Sequence, residues 1–296
     1  MTKYFFKSIL NLSLLISVLV TGCGRNSAPS RDGRVLVAVS ILPLADFTRE
    51  VGGNRVEVKV LVQPAHSPHT FEPTALQLEI VSKARALVLN GVGLEFWSDK
   101  LVSAADNPDL AIVRTGEGLE IIDNEHREES GNPHVWLDPV YAQHQVDNIA
   151  KTLSIVDPEG VEIYEKNARR YNGELKLLDR EIREKVAGFS SKKFISFHSG
   201  FAYFARRYGL EEAGVIEKTP GAEPSPSDIA DIINTAKSVG AKAIFAEPQF
   251  PPKSAEVIAA ECGAVVSYLN PLGEPPDYKY VDIMRYNVSQ LEKALK

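Results

Sequence analysis

Six histidines occur in this chain of 296 residues, and three of them stand where a side chain can meet a ligand. His69 lies in Pro68-His-Thr-Phe-Glu-Pro73, His134 in Asn132-Pro-His-Val-Trp-Leu-Asp-Pro139, and His198 in Phe197-His-Ser-Gly200. Proline or glycine punctuates each segment, so each reads as a loop at the end of a secondary element. A neutral imidazole offers one nitrogen lone pair, either to a hydrogen-bond donor or to a metal ion. A single loop histidine is ordinarily hydrogen-bonded. Three that converge make a metal site, and three nitrogen ligands are also the arrangement of catalytic zinc.

The elements that must carry these loops alternate between strand and helix. Continuous apolar runs at Val35–Val39, Val56–Val62, Ala86–Leu89 and Ala111–Arg114 predict four strands, with a helix from Pro43 to Val51 that stops at Gly52-Gly53. The pattern resumes with strands at Phe194–Phe197, Gly214–Ile216, Ala243–Ala246 and Ala264–Tyr268, and helices at Ser227–Ser238 and Ser254–Glu261. Apolar strands separated by helices indicate parallel sheets covered on both faces. The expected fold is α/β: two doubly wound parallel-sheet lobes, residues 34–156 and 189–296. Ligands of such sheets bind beyond the carboxyl ends of the strands. His69 follows the second strand, His198 follows the first strand of the second half, and His134 precedes a helix, so the three would meet in a cleft between the lobes.

Residues 157–188 hold the longest helical signal. Apolar positions at Val161, Tyr164, Ala168, Tyr171, Leu175, Leu178, Ile182 and Val186 recur in steps of three and four. Asp157 suits an N-cap, Pro158 the first helical position, and Gly188 a stop. Roughly 30 residues at about 1.5 Å each make a rod near 45 Å, long enough to connect both lobes. No matching heptad segment elsewhere offers it a coiled-coil partner.

The first 22 residues read as a signal peptide. Lys3 and Lys7 precede an apolar stretch from Ile9 to Val20, too short to span a bilayer. Val20-Thr-Gly-Cys23 resembles the lipobox of bacterial lipoproteins, with Val20 in place of the commoner leucine. Acylation of Cys23 would anchor the protein outside the cytoplasm, and residues 23–33 would be a polar tether. A net charge of −6, with basic residues only paired at Lys192-Lys193 and Arg206-Arg207, excludes a nucleic-acid surface. Of the two cysteines, Cys23 has the anchoring role, so no disulfide with Cys262 is expected.

The segments Pro68–Pro73, Pro133–Pro139, His198–Tyr203 continuing to Tyr208-Gly-Leu210, Glu223-Pro-Ser-Pro226, Ile244–Phe250, Pro271-Leu-Gly273 and Met284–Asn287 together resemble the zinc- and manganese-binding receptors of ABC importers. The likeness covers essentially all of the chain after the tether. It implies two lobes bridged by one rather rigid helix, metal held between them, no enzymatic activity, and delivery to a membrane permease driven by a cytoplasmic ATPase. His69, His134 and His198 fall on that family's first three ligand positions. Manganese-type members often carry a carboxylate where His198 stands. Imidazole suits zinc and Mn²⁺ prefers oxygen, so Zn(II) is the expected cargo, with Mn(II) the alternative. A monomer is expected.

One departure concerns the fourth ligand. The family commonly has Asp before Pro-Leu-Gly, and here it is Asn270; water, Asn270 and Glu247 stand as alternatives. His66 reads as a surface residue or auxiliary ligand, His126 as part of a short acidic loop, and His144 as structural. A secreted zinc hydrolase is the rival from another class, but no His-Glu-x-x-His motif occurs. A surface adhesin would need an exposed apolar patch.

Overall fold

The computed structural model describes residues 33–64, 66–123, 131–219, 221–274 and 278–296. The expected signal peptide, Cys23, most of the tether and His126 lie outside the described residues. In the first sheet β1 (Val35–Val39), β2 (Val56–Val60), β3 (Ala86–Leu89) and β4 (Ala111–Arg114) are parallel and lie in the order β2-β1-β3-β4. Helices α1 (Leu42–Gly52), α2 (Ala75–Lys83) and α3 (Ser98–Ala105) form the crossovers, and α4 (Pro139–Val156) follows β4. All four residues of β3 are buried, as expected of a strand covered on both faces.

A second sheet repeats the plan. Between the two runs α5 (Val161–Ala187). Then β5 (Lys193–Ser196), α6 (Ala202–Tyr208), β6 (Glu211–Val215), α7 (Pro226–Ser238), β7 (Ala243–Ala246), α8 (Lys253–Cys262) and β8 (Val265–Tyr268) give the order β6-β5-β7-β8, again parallel. In both sheets the chain reverses direction of winding beside the first strand, which opens a crevice at the carboxyl edge there. Helix α9 (Tyr280–Leu295) does not stay with the second sheet alone, for it packs on α5 and reaches α1.

The connector is shorter and begins differently than its sequence suggests. Pro158–Gly160 form a 3₁₀ turn, and the α-helix starts at Val161 with Gly160 in the cap position and no side-chain cap. Asp157 instead accepts two hydrogen bonds from Arg55, at 2.7 and 2.8 Å, and one from the Tyr164 hydroxyl. A bidentate guanidinium is a stronger partner for a carboxylate than backbone N–H groups, so Asp157 ties the connector to the first lobe and does not cap it. The buried face runs from Tyr164 to Val186 as the stripe predicts.

One core cluster passes from the first sheet through α1, α4 and α5 to α9 and one face of the second sheet. A smaller one fills the other face of the second sheet under α7 and α8. Asp46 on α1 shows how tightly the parts are joined: its carboxylate accepts from the Tyr171 hydroxyl of α5 (2.9 Å) and the Tyr280 N–H of α9 (3.0 Å). Cys262 is a free thiol. No helix among the described residues is long and apolar enough to cross a membrane.

Candidate metal centre

His69, His134 and His198 come together at the carboxyl edges of the sheets, all buried. Each is delivered by a loop whose local chemistry is fixed. His69 sits between β2 and α2, and α2 begins at a capping box in which Thr74 and Gln77 satisfy each other's backbone. His134 precedes the 3₁₀ turn Val135–Leu137, after which Asp138 caps α4 by accepting from the Val140 N–H at 2.8 Å, with Pro139 in the first turn. His198 lies two residues beyond β5. A Cβ on Gly200 would stand 3.1–3.2 Å from its ring atoms, so only glycine leaves the imidazole unhindered.

The ring nitrogens are sorted by their partners. His134 Nδ1 lies 2.8 Å from Asn132 Oδ1, which accepts only, so Nδ1 carries the proton and Nε2 the lone pair. His198 Nδ1 is 2.5 Å from Glu247 Oε1, with the same result. His134 Nε2 then stands 2.9 Å from His198 Nε2 and 3.1 Å from His69 Nε2. With both rings neutral and protonated at Nδ1, the facing Nε2 lone pairs are suited to a shared cation. Tetrahedral zinc with Zn–N bonds of about 2.0–2.1 Å spaces its ligands roughly 3.3 Å apart, so a small spreading of the rings admits the ion. The three are the only set of at least three His, Cys, Asp or Glu ligand atoms within 4.8 Å of one another among the described residues. The space they enclose with Trp136, Phe250 and Leu272 is about 10 Å³, room for a water or an ion and not for an organic substrate.

Negative charge gathers behind His198. Burial alone would lower its pKa, but the Glu247 carboxylate, with Glu212 and Glu217 beyond, outweighs burial and raises it. Glu212 accepts from the Ser196 and Ser199 hydroxyls at 2.9 and 3.0 Å, and burial pushes its pKa up to about 7. Burial likewise raises Glu217.

The other candidates fall into different places. Asn270 does not line the histidine cavity. Its Oδ1 accepts from the Leu272 and Gly273 N–H groups at 3.1 and 2.7 Å and so organises the Pro-Leu-Gly turn. Glu247, 1% exposed, is the partner that orients His198. His66 is exposed and bonds to the Pro64 carbonyl, and His144 Nε2 donates to the Glu117 carbonyl at 2.7 Å. Asn132 was not anticipated, although an Asn two residues before a loop His is the signature of a side-chain turn onto the backbone; the His134 N–H does donate to its Oδ1 at 3.0 Å.

Comparison with known proteins gives a consistent result. The family described as zinc-uptake complex component A, periplasmic (ZnuA), matches residues 37–294. The chain is 29% identical to the high-affinity zinc uptake system protein ZnuA of Bacillus subtilis, over 94% of each chain. It is 29% identical to the zinc-binding lipoprotein AdcA of Streptococcus pneumoniae, covering 97% of this chain but only 61% of that one. A crystal structure of ZnuA superposes with a TM-score of 0.82 at 35% identity, over 88% of this chain and 99% of the other.

Proposed function

Since the chain belongs to the family of periplasmic A components of zinc-uptake complexes, we propose that it binds one Zn(II) through Nε2 of His69, His134 and His198 and hands it to the permease of an ABC-type importer. Membership makes it a binding component and not an enzyme. The observation that carries the ligand assignment is the convergence of the Nε2 atoms at 2.9 and 3.1 Å with the Nδ1 protons of His134 and His198 committed elsewhere. An all-imidazole set favours zinc over Mn(II). Asn270 is held in its turn, which leaves the fourth position to water or to the second carboxylate oxygen of Glu247, a residue that lines the cavity and gives its first oxygen to His198. A water there would leave room for an acceptor group to approach during release. The protein acts as a monomer anchored to the bilayer by acylated Cys23, with the lobes divided at residues 157–188.

Elemental analysis of apo-protein reloaded from equimolar zinc and manganese should find one zinc per chain. Single replacement of His69, His134 or His198 by Ala should weaken zinc binding at least about tenfold, about 1.4 kcal/mol, while His144→Ala leaves it unchanged. Full affinity in all three ligand variants would refute the assignment. For the anchor, Cys23→Ala should move the protein out of the membrane fraction or leave it unprocessed; wild-type mass and fractionation would count against acylation.

A further inference from the structure

The apolar shell around a metal site governs which further ligands can reach the ion. Three apolar side chains close the histidine cavity, and each is held by other parts of the fold. Trp136, fully buried, lies tilted against the His134 ring at 5.2 Å, and its indole donates to the Pro271 carbonyl at 2.8 Å. Phe250 lies against the His198 ring at 5.5 Å and stacks on Phe197 at 5.1 Å. Leu272, 8% exposed, belongs to the core that joins the lobes. Its turn is fastened firmly. Asn270 Oδ1 accepts from the Leu272 and Gly273 N–H groups, and Asn287 bonds both the N–H and the carbonyl of Asn270 at 2.8 Å. Leu272 also borders a second space of about 10 Å³, lined by Ile41, Leu42, Val62 and Pro64 of the first lobe. One leucine therefore stands between two small voids, each with room for about one water.

We infer that Leu272, with Phe250 and Trp136, makes the site select its ion by coordination number, an inference that rests on the three-histidine reading above. Three nitrogens and one further oxygen complete a tetrahedral zinc ion. Mn(II) favours an octahedral, oxygen-rich shell, so beside three histidines it needs more than one oxygen. The cavity has nowhere to put them. Of its polar lining, Ser67 accepts from the His69 N–H at 3.3 Å, Gln249 donates to Asn270 at 3.3 Å, and Glu247 gives one oxygen to His198. Beyond these and the histidines the lining is proline, Trp136, Phe250 and Leu272, which offer hydrocarbon and no ligand. An ion that keeps extra waters must push a fixed leucine into the core, whereas four-coordinate zinc fits between the rings. Asn270 gains a role from this arrangement: it holds the turn that carries the wall.

Bound Co(II) reports the difference, because a four-coordinate ion absorbs visible light far more strongly than a six-coordinate one. Wild-type protein loaded with Co(II) should show the intense four-coordinate spectrum. Leu272→Ala removes most of the side chain, joins the two voids and makes space for about two more waters. Its Co(II) absorption should fall several-fold, and the ratio of zinc to manganese affinity should drop about tenfold or more. Leu272→Met, of similar volume, should match wild type in both. A weak six-coordinate spectrum in wild type, or an unchanged spectrum and ratio in Leu272→Ala, would overturn the wall. Equal changes in the Ala and Met variants would overturn it too, since a merely structural residue behaves that way. Should Leu272→Ala fail to fold, Leu272→Asn decides. It is close to leucine in size and sets an amide oxygen in the wall, so the same falls in absorption and ratio are expected, and no change in either overturns the proposal. Wild-type protein that takes up neither zinc nor cobalt would refute the three-histidine site itself, and the wall with it.

Discussion

His198 shows how one carboxylate sets two affinities at once. Glu247 raises the proton affinity of the ring against the opposing effect of burial, and the same field strengthens the Nε2 lone pair toward a dication. Zinc and protons then compete for the ring. Because the His198 pKa is raised, apo-protein begins to take up this proton at a higher pH than an ordinary histidine, and zinc affinity falls earlier on acidification. Glu247→Gln should weaken zinc binding at pH 8 by about tenfold and also shift the acid-side loss to lower pH. Chelator competition from pH 5.5 to 8 measures both, and parallel curves for the two proteins would show that Glu247 does not govern His198. The histidines were visible in the sequence because proline and glycine mark their loops. Their orienting partners were harder to read, since Glu247 stands 49 residues from His198 and only the pairing of β5 with β7 makes them neighbours.

At the level of elements, β1, β3, β4 and β7 have the spans their apolar runs predict; β3 and β7 are buried throughout and have no polar face to blur their ends. β6 begins earlier than expected, at Glu211. Its first two residues are acidic, and the second is held by serine hydroxyls in a way no local pattern announces. The start of α5 differs from expectation for a related reason: Asp157 precedes the 3₁₀ turn that leads into the helix, but its carboxylate answers to Arg55, 102 positions away. Asp46 carries the clearest consequence of this kind. Burial raises its pKa to about 6, more than the hydrogen bonds from Tyr280 and Tyr171 lower it. The folded state therefore binds this proton more tightly than the unfolded chain. Its stabilising contribution is complete below pH 3.8 and is lost as pH rises to about 6, a change of about 3 kcal/mol at most. Melting of the apo-protein should show a downward component over that window. Asp46→Asn, which keeps a carbonyl acceptor for both donors, should flatten it; an unchanged slope would assign the titration to another group.

For the molecule as a whole, the lobes meet through more than the connector. The Trp136 indole donates to the Pro271 carbonyl at 2.8 Å, and the Tyr280 hydroxyl donates to the Trp136 carbonyl at 2.6 Å, only two residues from His134. With α5 packed on α1, α4 and α9, wide hinge bending would break a continuous core. Small-angle scattering profiles of apo and zinc-loaded protein should nearly coincide, and a large contraction on loading would contradict this rigidity. The bond from Tyr280 to Asp46 spans 234 positions, and this bears on how the chain is made as well as how it works. The core of the first lobe includes side chains of α9, so the lobe synthesised first stays unfinished until nearly the whole polypeptide exists. Contacts so distant in sequence close slowly, because loop-closure entropy is lost before they form. For the periplasmic component of an uptake complex, that delay is useful: a polypeptide that cannot complete its core early remains unfolded enough to cross a membrane, and it folds on the far side, where the zinc is.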